Sequence, residues 1–183
     1  MLAALPYDGV ARRSILALKF RNRRSVARHL GRMMVDRLVQ AGLAVPAGTG
    51  RIDLVTWAPT SARRAHTRGY DQAQLLARVV AAELGVPCRR LLYRSHGHPQ
   101  AGQTREQRLV GPAFRARPPR AGLRVLVVDD VVTTGASLRA AESELLSAGV
   151  TSVVLLAVAA APNRSVGSQA RHLEHRRLVA ETA

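Results

Sequence analysis

Cysteine is almost absent from this 183-residue chain, in which Cys88 is the only thiol. A single cysteine excludes a disulfide framework and a cysteine-based zinc site, and this scarcity favours a reducing cytoplasm as the location. Aromatic residues are also rare, at 3%. So few aromatic side chains make an extended surface for stacking the bases of single-stranded nucleic acid hard to build.

Long apolar runs are missing as well. The longest, residues 153–161, falls far short of the about 20 residues that cross a membrane. The first six residues lack the basic region of a signal peptide, and their apolar run is too short for one. We therefore expect a soluble cytoplasmic protein without a membrane partner. A length of 183 residues, 47% of them hydrophobic, suits one compact domain with a real core.

The charge is strongly one-sided, with 28 basic residues, 12 acidic residues and a net charge of +16. Such a balance favours phosphate-rich partners, namely nucleotides, nucleic acid or a pyrophosphate substrate. A second interpretation stays open, because Lys19 is the only lysine. So strong a preference for arginine is also typical of codon usage in a GC-rich genome.

Apolar periodicity predicts an α/β fold in which helices flank a mostly parallel sheet. Strands that are continuously apolar and separated by a helix indicate parallel pairing with right-handed crossovers. Gly85 is a helix stop signal. The predicted segments are helices over residues 10–20, 25–41, 72–84 and 137–148, and strands over residues 52–57, 124–129 and 152–159. We divide the chain into an N-terminal helical segment (1–50), a core (51–162) and a basic tail (163–183), together one compact domain.

Residues 94–122 have no clear apolar period, apart from a short helical turn expected over residues 106–110. A short strand is expected just before them, within residues 87–93. Long segments without regular structure are uncommon inside a compact domain, and they often serve as lids over a binding site. We expect a flexible loop of that kind here.

The most informative stretch, residues 125–137, reads V-L-V-V-D-D-V-V-T-T-G-A-S. A buried strand is expected to end in Asp129 and Asp130, at the edge where open parallel sheets bind ligands. Two carboxylates there can accept hydrogen bonds from the vicinal hydroxyls of a ribose. The following loop opens a helix, so its N–H groups and the helix dipole suit a phosphate. The loop residues are Thr133, Thr134, Gly135, Ala136 and Ser137. Together these features predict a site for a ribose 5-phosphate group.

Three other interpretations explain fewer features of this stretch than a ribose 5-phosphate site does. They are a Walker B element, a receiver-domain acid pair and a simple helix cap. A Walker B element requires a phosphate-binding G-x-x-x-x-G-K-[ST] motif, which the chain lacks. A receiver domain places its acid pair after the first strand, whereas this strand comes late. A simple helix cap leaves the second acid and the T-T-G run without a role.

This stretch resembles the phosphoribosyl pyrophosphate signature of type I phosphoribosyltransferases, and three further stretches make the chain similar to the ComF family of competence-related proteins. The resemblance covers about residues 5–161. The supporting residues are Tyr7, Asp8, Gly9, Ile15, Leu18, Lys19 and Phe20 near the start; Ala58, Pro59 and Arg68 to Gln72 in the core; and Gln100, Ala101, Gly102, Arg105, Arg108, Ala113 and Phe114 in the loop.

The chain departs from the family at three points. It lacks the four-cysteine zinc module that many members carry, so zinc is not expected. Asp71 stands where the family usually has asparagine, and Gly111 stands where it often has asparagine. Asp71 is also a candidate N-cap of the helix that begins at residue 72.

The resemblance implies site residues beyond the acid pair. In the loop after the first core strand, Thr60, Ser61, Arg63 and Arg64 are expected to contact pyrophosphate together with Mg²⁺, which the ligand brings without a dedicated protein metal site. Residues 94–122 correspond to the flexible hood loop of these enzymes, and the 1–50 segment contributes to the hood. Arg105 and Arg108 of this loop are candidates for clamping phosphate or binding nucleic acid.

Three functions remain open at this point. The first is transfer of the phosphoribosyl group to an unknown base or amine, with Asp129 and Asp130 as the catalytic acids. The second is non-catalytic handling of single-stranded DNA in natural transformation, as the family name implies. The third is sensing of the sugar phosphate without turnover. A homodimer is compatible with all three.

Overall fold

Four parallel strands form the central sheet of the computed structural model, which describes residues 1–21, 24–44, 52–60, 70–95, 112–117 and 122–161. Their order across the sheet is β1-β6-β5-β2. The strands are β1 (Leu2–Pro6), β2 (Leu54–Trp57), β5 (Arg124–Val132) and β6 (Ser152–Ala160). The predicted α/β fold with a parallel sheet is confirmed.

The central strand β5 is apolar on both faces because each face is covered by a different layer. Leu126 and Val128 point into one cluster of buried side chains, together with residues of the first three helices. Val125 and Val127 point into a second cluster on the opposite face. This arrangement explains why the strand is a continuous apolar run rather than an alternating one.

Helices α1 (Gly9–Arg21), α2 (Arg24–Gln40) and α3 (Gln72–Leu84) contribute to the first cluster. Helix α4 (Ala136–Ser147) packs against the opposite face. Tyr70 joins α1 to the start of α3, since its hydroxyl donates to the carbonyl oxygen of Leu18. Of the described helices, none is both long enough and apolar enough to cross a membrane.

The two ends of α3 match the local sequence signals. Asp71 is the N-cap, and its Oδ1 atom accepts a hydrogen bond of 3.1 Å from the backbone N–H of Ala73. Gly85 ends the helix with a φ of +70°, a backbone conformation that side-chain-bearing residues rarely adopt.

Two short strands form a separate antiparallel sheet beside α4, namely β3 (Leu92–Arg94) and β4 (Phe114–Ala116). They join the two ends of the predicted hood loop. The expectation that residues 94–122 hold no regular strand is therefore wrong at β4. A three-residue strand is too short for an alternating pattern to stand out in the sequence.

Two features of the central sheet differ from the prediction. Residues 2–6 form the edge strand β1, although the sequence analysis predicts no strand there. Its last residue, Pro6, has no N–H group, and this costs little stability because an edge strand needs fewer N–H donors. Strand β5 also continues three residues past Asp129, to Val132. The acid pair therefore lies within the last residues of the strand, not after its end.

Candidate functional site

Asp129 and Asp130 lie at the carboxyl end of β5 and line a cavity of about 190 Å³. The same cavity is bordered by the end of β2, the start of α3 and the two-stranded sheet. The remaining lining residues are Ala58, Pro59, Thr60, Asp71, Gln72, Ala73, Arg94, Phe114, Val131 and Ser137. Half of these ten residues carry polar or charged side chains, as do Asp129 and Asp130, and this suits a hydrophilic ligand.

The two carboxyl groups are held by the backbone of their own strand. The N–H of Asp130 donates to Oδ1 of Asp129 at 2.8 Å, and the N–H of Val131 donates to Oδ1 of Asp130 at 2.8 Å. The side chains of Asp129 and Asp130 also hydrogen-bond to each other. Burial first, and then the negative charge of Asp130, raise the pKa of Asp129 well above its usual value. The pair therefore holds a proton more tightly than two exposed aspartates do.

The predicted phosphate loop lies directly beside the acid pair. A second cavity of about 40 Å³ is lined by all five residues 133–137 and also by Asp129 and Val131. Asp129, Val131 and Ser137 border both cavities. An acid pair and a loop of N–H donors are thus adjacent at one sheet edge.

Gly135 sets the shape of this loop. Its φ is +75°, and it precedes the first residue of α4. A Cβ atom at this position would lie 2.8 Å from Nη1 of Arg139 and 3.0 Å from Cε of Met1, closer than real Cβ contacts. The backbone conformation therefore favours glycine here, and a Cβ atom would push aside the ends of the Arg139 and Met1 side chains.

Arg139, which the sequence did not single out, supports the loop from the first turn of α4. Its Nη2 atom donates to the carbonyl oxygen of Thr134 at 2.6 Å. Its position four residues after Gly135, on the same helical face, was the available signal.

Asp71 also belongs to the site. Its Oδ2 atom accepts a hydrogen bond of 3.0 Å from the backbone N–H of Thr60, while Oδ1 accepts from Ala73. The carboxylate therefore connects the loop after β2 to the start of α3. Burial raises the pKa of Asp71, its backbone hydrogen bonds oppose the shift, and the charge of Asp130 adds to it.

Arg94 and Phe114 were not assigned to the ligand cavity from the sequence. They are direct cross-strand partners in the β3–β4 sheet, and both line the cavity. Gln72 lines it as well and is almost fully buried. Arg94 and Phe114 come together through the pairing of two distant segments, so no local sequence pattern predicts their contact.

Among the predicted site residues, Thr60 lines the cavity. Ser61, Arg63 and Arg64 of the predicted pyrophosphate loop lie outside the described residues. Arg105 and Arg108 of the predicted hood loop do so too, as does the expected helical turn at residues 106–110.

A family model for the phosphoribosyl transferase domain matches residues 71–173, more than half of the chain. The chain belongs to this family. The match contains the acid pair, the phosphate loop and the two-stranded sheet that border the cavities. It confirms the type I phosphoribosyltransferase fold and, with the relatives below, the ComF-type resemblance drawn from the sequence.

Curated relatives of this phosphoribosyltransferase-family chain carry the name DNA utilization protein YhgH. The protein from Salmonella typhi is 31% identical over 145 residues, and that from Escherichia coli O6:H1 is 30% identical over 147 residues. Each alignment covers 74% of this chain and 61% of the relative. The chain thus spans somewhat under two thirds of the length of these relatives.

Similar solved structures include the glutamine phosphoribosylpyrophosphate amidotransferase from B. subtilis, with a TM-score of 0.47 at 23% identity, covering 74% of this chain and 26% of that one. An adenine phosphoribosyltransferase has a TM-score of 0.47 at 19% identity, covering 76% of this chain and 74% of that one.

The phosphoribosyltransferase cavity offers oxygen ligands of the kind that Mg²⁺ prefers, since Asp71, Asp129 and Asp130 line it. Within the described ranges, however, no three His, Cys, Asp or Glu side chains come together in a way that could hold a metal ion. Mg²⁺ is usually bound through one or two carboxylates together with substrate phosphates and water. The site therefore fits a Mg²⁺ ion that arrives with a phosphate ligand.

Proposed function

We propose that this chain binds phosphoribosyl pyrophosphate with Mg²⁺ and transfers its 5-phosphoribosyl group to a base or amine. The observation that carries the proposal is the adjacency of the two cavities. Asp129, Val131 and Ser137 border both, so the acid pair and the loop of residues 133–137 lie next to each other.

Each part of that space has a matching part of the ligand. The carboxyl pair accepts hydrogen bonds from the 2- and 3-hydroxyls of the ribose. The loop of residues 133–137, at the start of α4, receives the 5-phosphate, because a helix N-terminus favours an anion. The pyrophosphate group is then directed toward Thr60, which lines the larger cavity but not the smaller one.

The chemistry needs positioning and charge rather than a covalent intermediate. The bond between C1 of the ribose and the pyrophosphate oxygen breaks with its electron pair on pyrophosphate, and the acceptor nitrogen forms the new bond to C1 and releases its proton to solvent. Positive charge builds on the ribose ring meanwhile, and the carboxylates of Asp129 and Asp130 stabilise it. Mg²⁺, when bound, neutralises charge on the departing pyrophosphate. Asp71 holds the Thr60 backbone in place beside that group.

Isothermal calorimetry with phosphoribosyl pyrophosphate and Mg²⁺ tests this proposal. We expect the wild-type protein to bind and the Asp129→Asn/Asp130→Asn double variant to lose binding while its circular dichroism spectrum stays unchanged. Release of pyrophosphate in the presence of candidate bases then distinguishes transfer from sensing. A folded wild-type protein that does not bind the ligand refutes the proposal.

A second candidate function is handling of single-stranded DNA. Two observations favour it, namely the net charge of +16 and the name DNA utilization protein that the curated relatives carry. Binding to a labelled oligothymidylate, with an affinity that falls steeply as salt rises, is the expected result. The two functions are compatible, because the DNA need not enter the cavity.

A further inference from the structure

The two-stranded sheet β3–β4 has two chemically different faces. Its inner face carries Leu92 and Phe114, which are buried, and Arg94, which lines the ligand cavity together with Phe114. Side chains alternate along a strand, so the intervening residues point the other way. These are Tyr93 on β3 and Arg115 on β4.

The outer face gathers three arginines around one tyrosine. Tyr93 and Arg115 are direct cross-strand partners, so their side chains project from the same side. Arg117 lies two residues beyond Arg115, and its N–H continues the ladder by donating to Leu91. The guanidinium carbon of Arg90 lies 4.5 Å from the centre of the Tyr93 ring. We call Arg90, Tyr93, Arg115 and Arg117 the arginine–tyrosine face.

This face is open to a ligand. All four residues are exposed, and Tyr93 keeps 38% of its surface accessible although it is aromatic. Residues 87–95 and 112–117 contain no Asp or Glu. Within the described ranges, no carboxylate forms an ion pair with Arg90, Arg115 or Arg117. Three positive charges without a carboxylate partner among the described residues favour a polyanionic ligand at this face.

The combination fits unpaired nucleotides better than other polyanions. Guanidinium groups bind phosphates, and an exposed ring stacks on a base of any sequence. Arg90 contacts one face of the Tyr93 ring through a cation–π interaction, which holds the ring in place. A duplex hides its bases, and an anionic membrane has none, so neither makes use of the ring. The low overall content of aromatics does not prevent this, because one ring is enough for one base.

We propose that the arginine–tyrosine face binds single-stranded nucleic acid, with a base on Tyr93 and phosphates on Arg90, Arg115 and Arg117. The inference rests on the second candidate function and gives it a location. Because the inner face of the same two strands lines the ligand cavity, the bound strand passes directly outside the proposed phosphoribosyl site.

The test measures fluorescence anisotropy of a labelled oligothymidylate at several salt concentrations. The variant Arg90→Ser/Arg115→Ser/Arg117→Ser is compared with Arg12→Ser/Arg13→Ser/Arg28→Ser. Both sets lower the net charge equally, and the control residues are exposed on α1 and α2. We expect the first variant to bind at least about tenfold more weakly and its salt slope to fall by about two, since each phosphate contact on a single strand contributes about 0.7. The control is expected to bind nearly as wild type does.

Single substitutions at the ring test the stacking without a large change in charge. Tyr93→Ala is expected to weaken binding about tenfold, and Tyr93→Phe to bind as wild type, because the ring alone stacks. Thermal unfolding of each variant shows that it folds. Duplex DNA, single-stranded RNA and anionic vesicles serve as the other ligands, and stronger binding to duplex or vesicles overturns the inference.

The two levels of the proposal fail in different ways. If the wild-type protein does not bind single strands at all, the second candidate function is wrong, and so is the proposed role of the arginine–tyrosine face. If it binds, but both triple variants lose affinity equally or Tyr93→Ala binds normally, the location alone is wrong. Binding of phosphoribosyl pyrophosphate is a separate measurement that neither result affects.

Discussion

Nη2 of Arg139 donates a hydrogen bond of 2.6 Å to the carbonyl oxygen of Thr134, from one turn into helix α4 back to the loop that precedes it. The carbonyl is thereby held on the exposed side of the loop. This contact fixes the orientation of the peptide after Thr134, in the segment whose N–H groups are proposed to bind phosphate. It also leaves a positive charge beside the loop.

Arg139→Gln is expected to weaken binding of ribose 5-phosphate about tenfold, since a hydrogen bond from a charged donor contributes more than a neutral one. Arg139→Lys keeps the charge but loses the planar donor pair, so an intermediate affinity is expected. Calorimetry with ribose 5-phosphate gives the affinities. Pyrophosphate alone is the control ligand, because it is proposed to bind at Thr60, away from Arg139. Equal weakening for both ligands contradicts a local role.

Gly135→Ala has a matched control in Gly149→Ala. Both glycines have a positive φ, +75° and +91°, but only at Gly135 would a Cβ atom displace neighbouring side-chain ends, those of Arg139 and Met1. We expect both variants to lose about 1 kcal/mol of stability from the backbone conformation. Gly135→Ala should lose more, and it alone should lose ribose 5-phosphate binding. Chemical denaturation and calorimetry measure the two effects, and normal ligand binding by Gly135→Ala would falsify the loop assignment.

Asp129→Asn is expected to stabilise the protein while abolishing ligand binding. Burial raises the pKa of Asp129 above its usual 3.8, so the folded state holds this proton more tightly than the unfolded chain. The stability that results is complete below about pH 4 and is lost as pH rises through the raised pKa. The variant avoids that loss, and its amide can still donate to Asp130. Its unfolding free energy should exceed that of wild type at alkaline pH, and the difference should shrink toward pH 4.

The ion pair between Asp53 and Arg124 gives the opposite pH dependence. The side-chain and backbone N–H groups of Arg124 hydrogen-bond to the Asp53 carboxylate and lower its pKa from 3.8 to about 2. The contribution is therefore complete above about pH 4 and lost as pH falls toward 2. Asp53→Asn should be less stable than wild type at pH 7, and the two proteins should converge in acid. Glu83→Gln, which removes the exposed pair with Arg32, is the control and should change stability little.

Elements set by local chemistry could be predicted from the sequence. Helix α3 begins and ends at the predicted residues because Asp71 and Gly85 act through their own backbone neighbours. The adjacency of the acid pair and residues 133–137 could also be predicted, since they are contiguous in the chain. The long buried strands β5 and β6 could be predicted from their apolar runs alone.

Features that depend on distant contacts could not be predicted. Strand β1 is defined by its pairing with β6, which lies some 150 residues later in the chain. Arg94 and Phe114 come together only when β3 pairs with β4. The hydrogen bond from Thr60 to Asp71 likewise joins two segments whose separate sequences reveal no partner.

The position of Met1 has a practical consequence for any experiment on this protein. Its Sδ and Cε atoms lie 3.3 Å and 3.0 Å from the place that a Cβ on Gly135 would occupy. The Met1 side chain is therefore a neighbour of the loop of residues 133–137, although the two are far apart in the sequence. Because a tag joined to Met1 changes the surroundings of this side chain, ligand affinities should be compared between proteins with and without the tag.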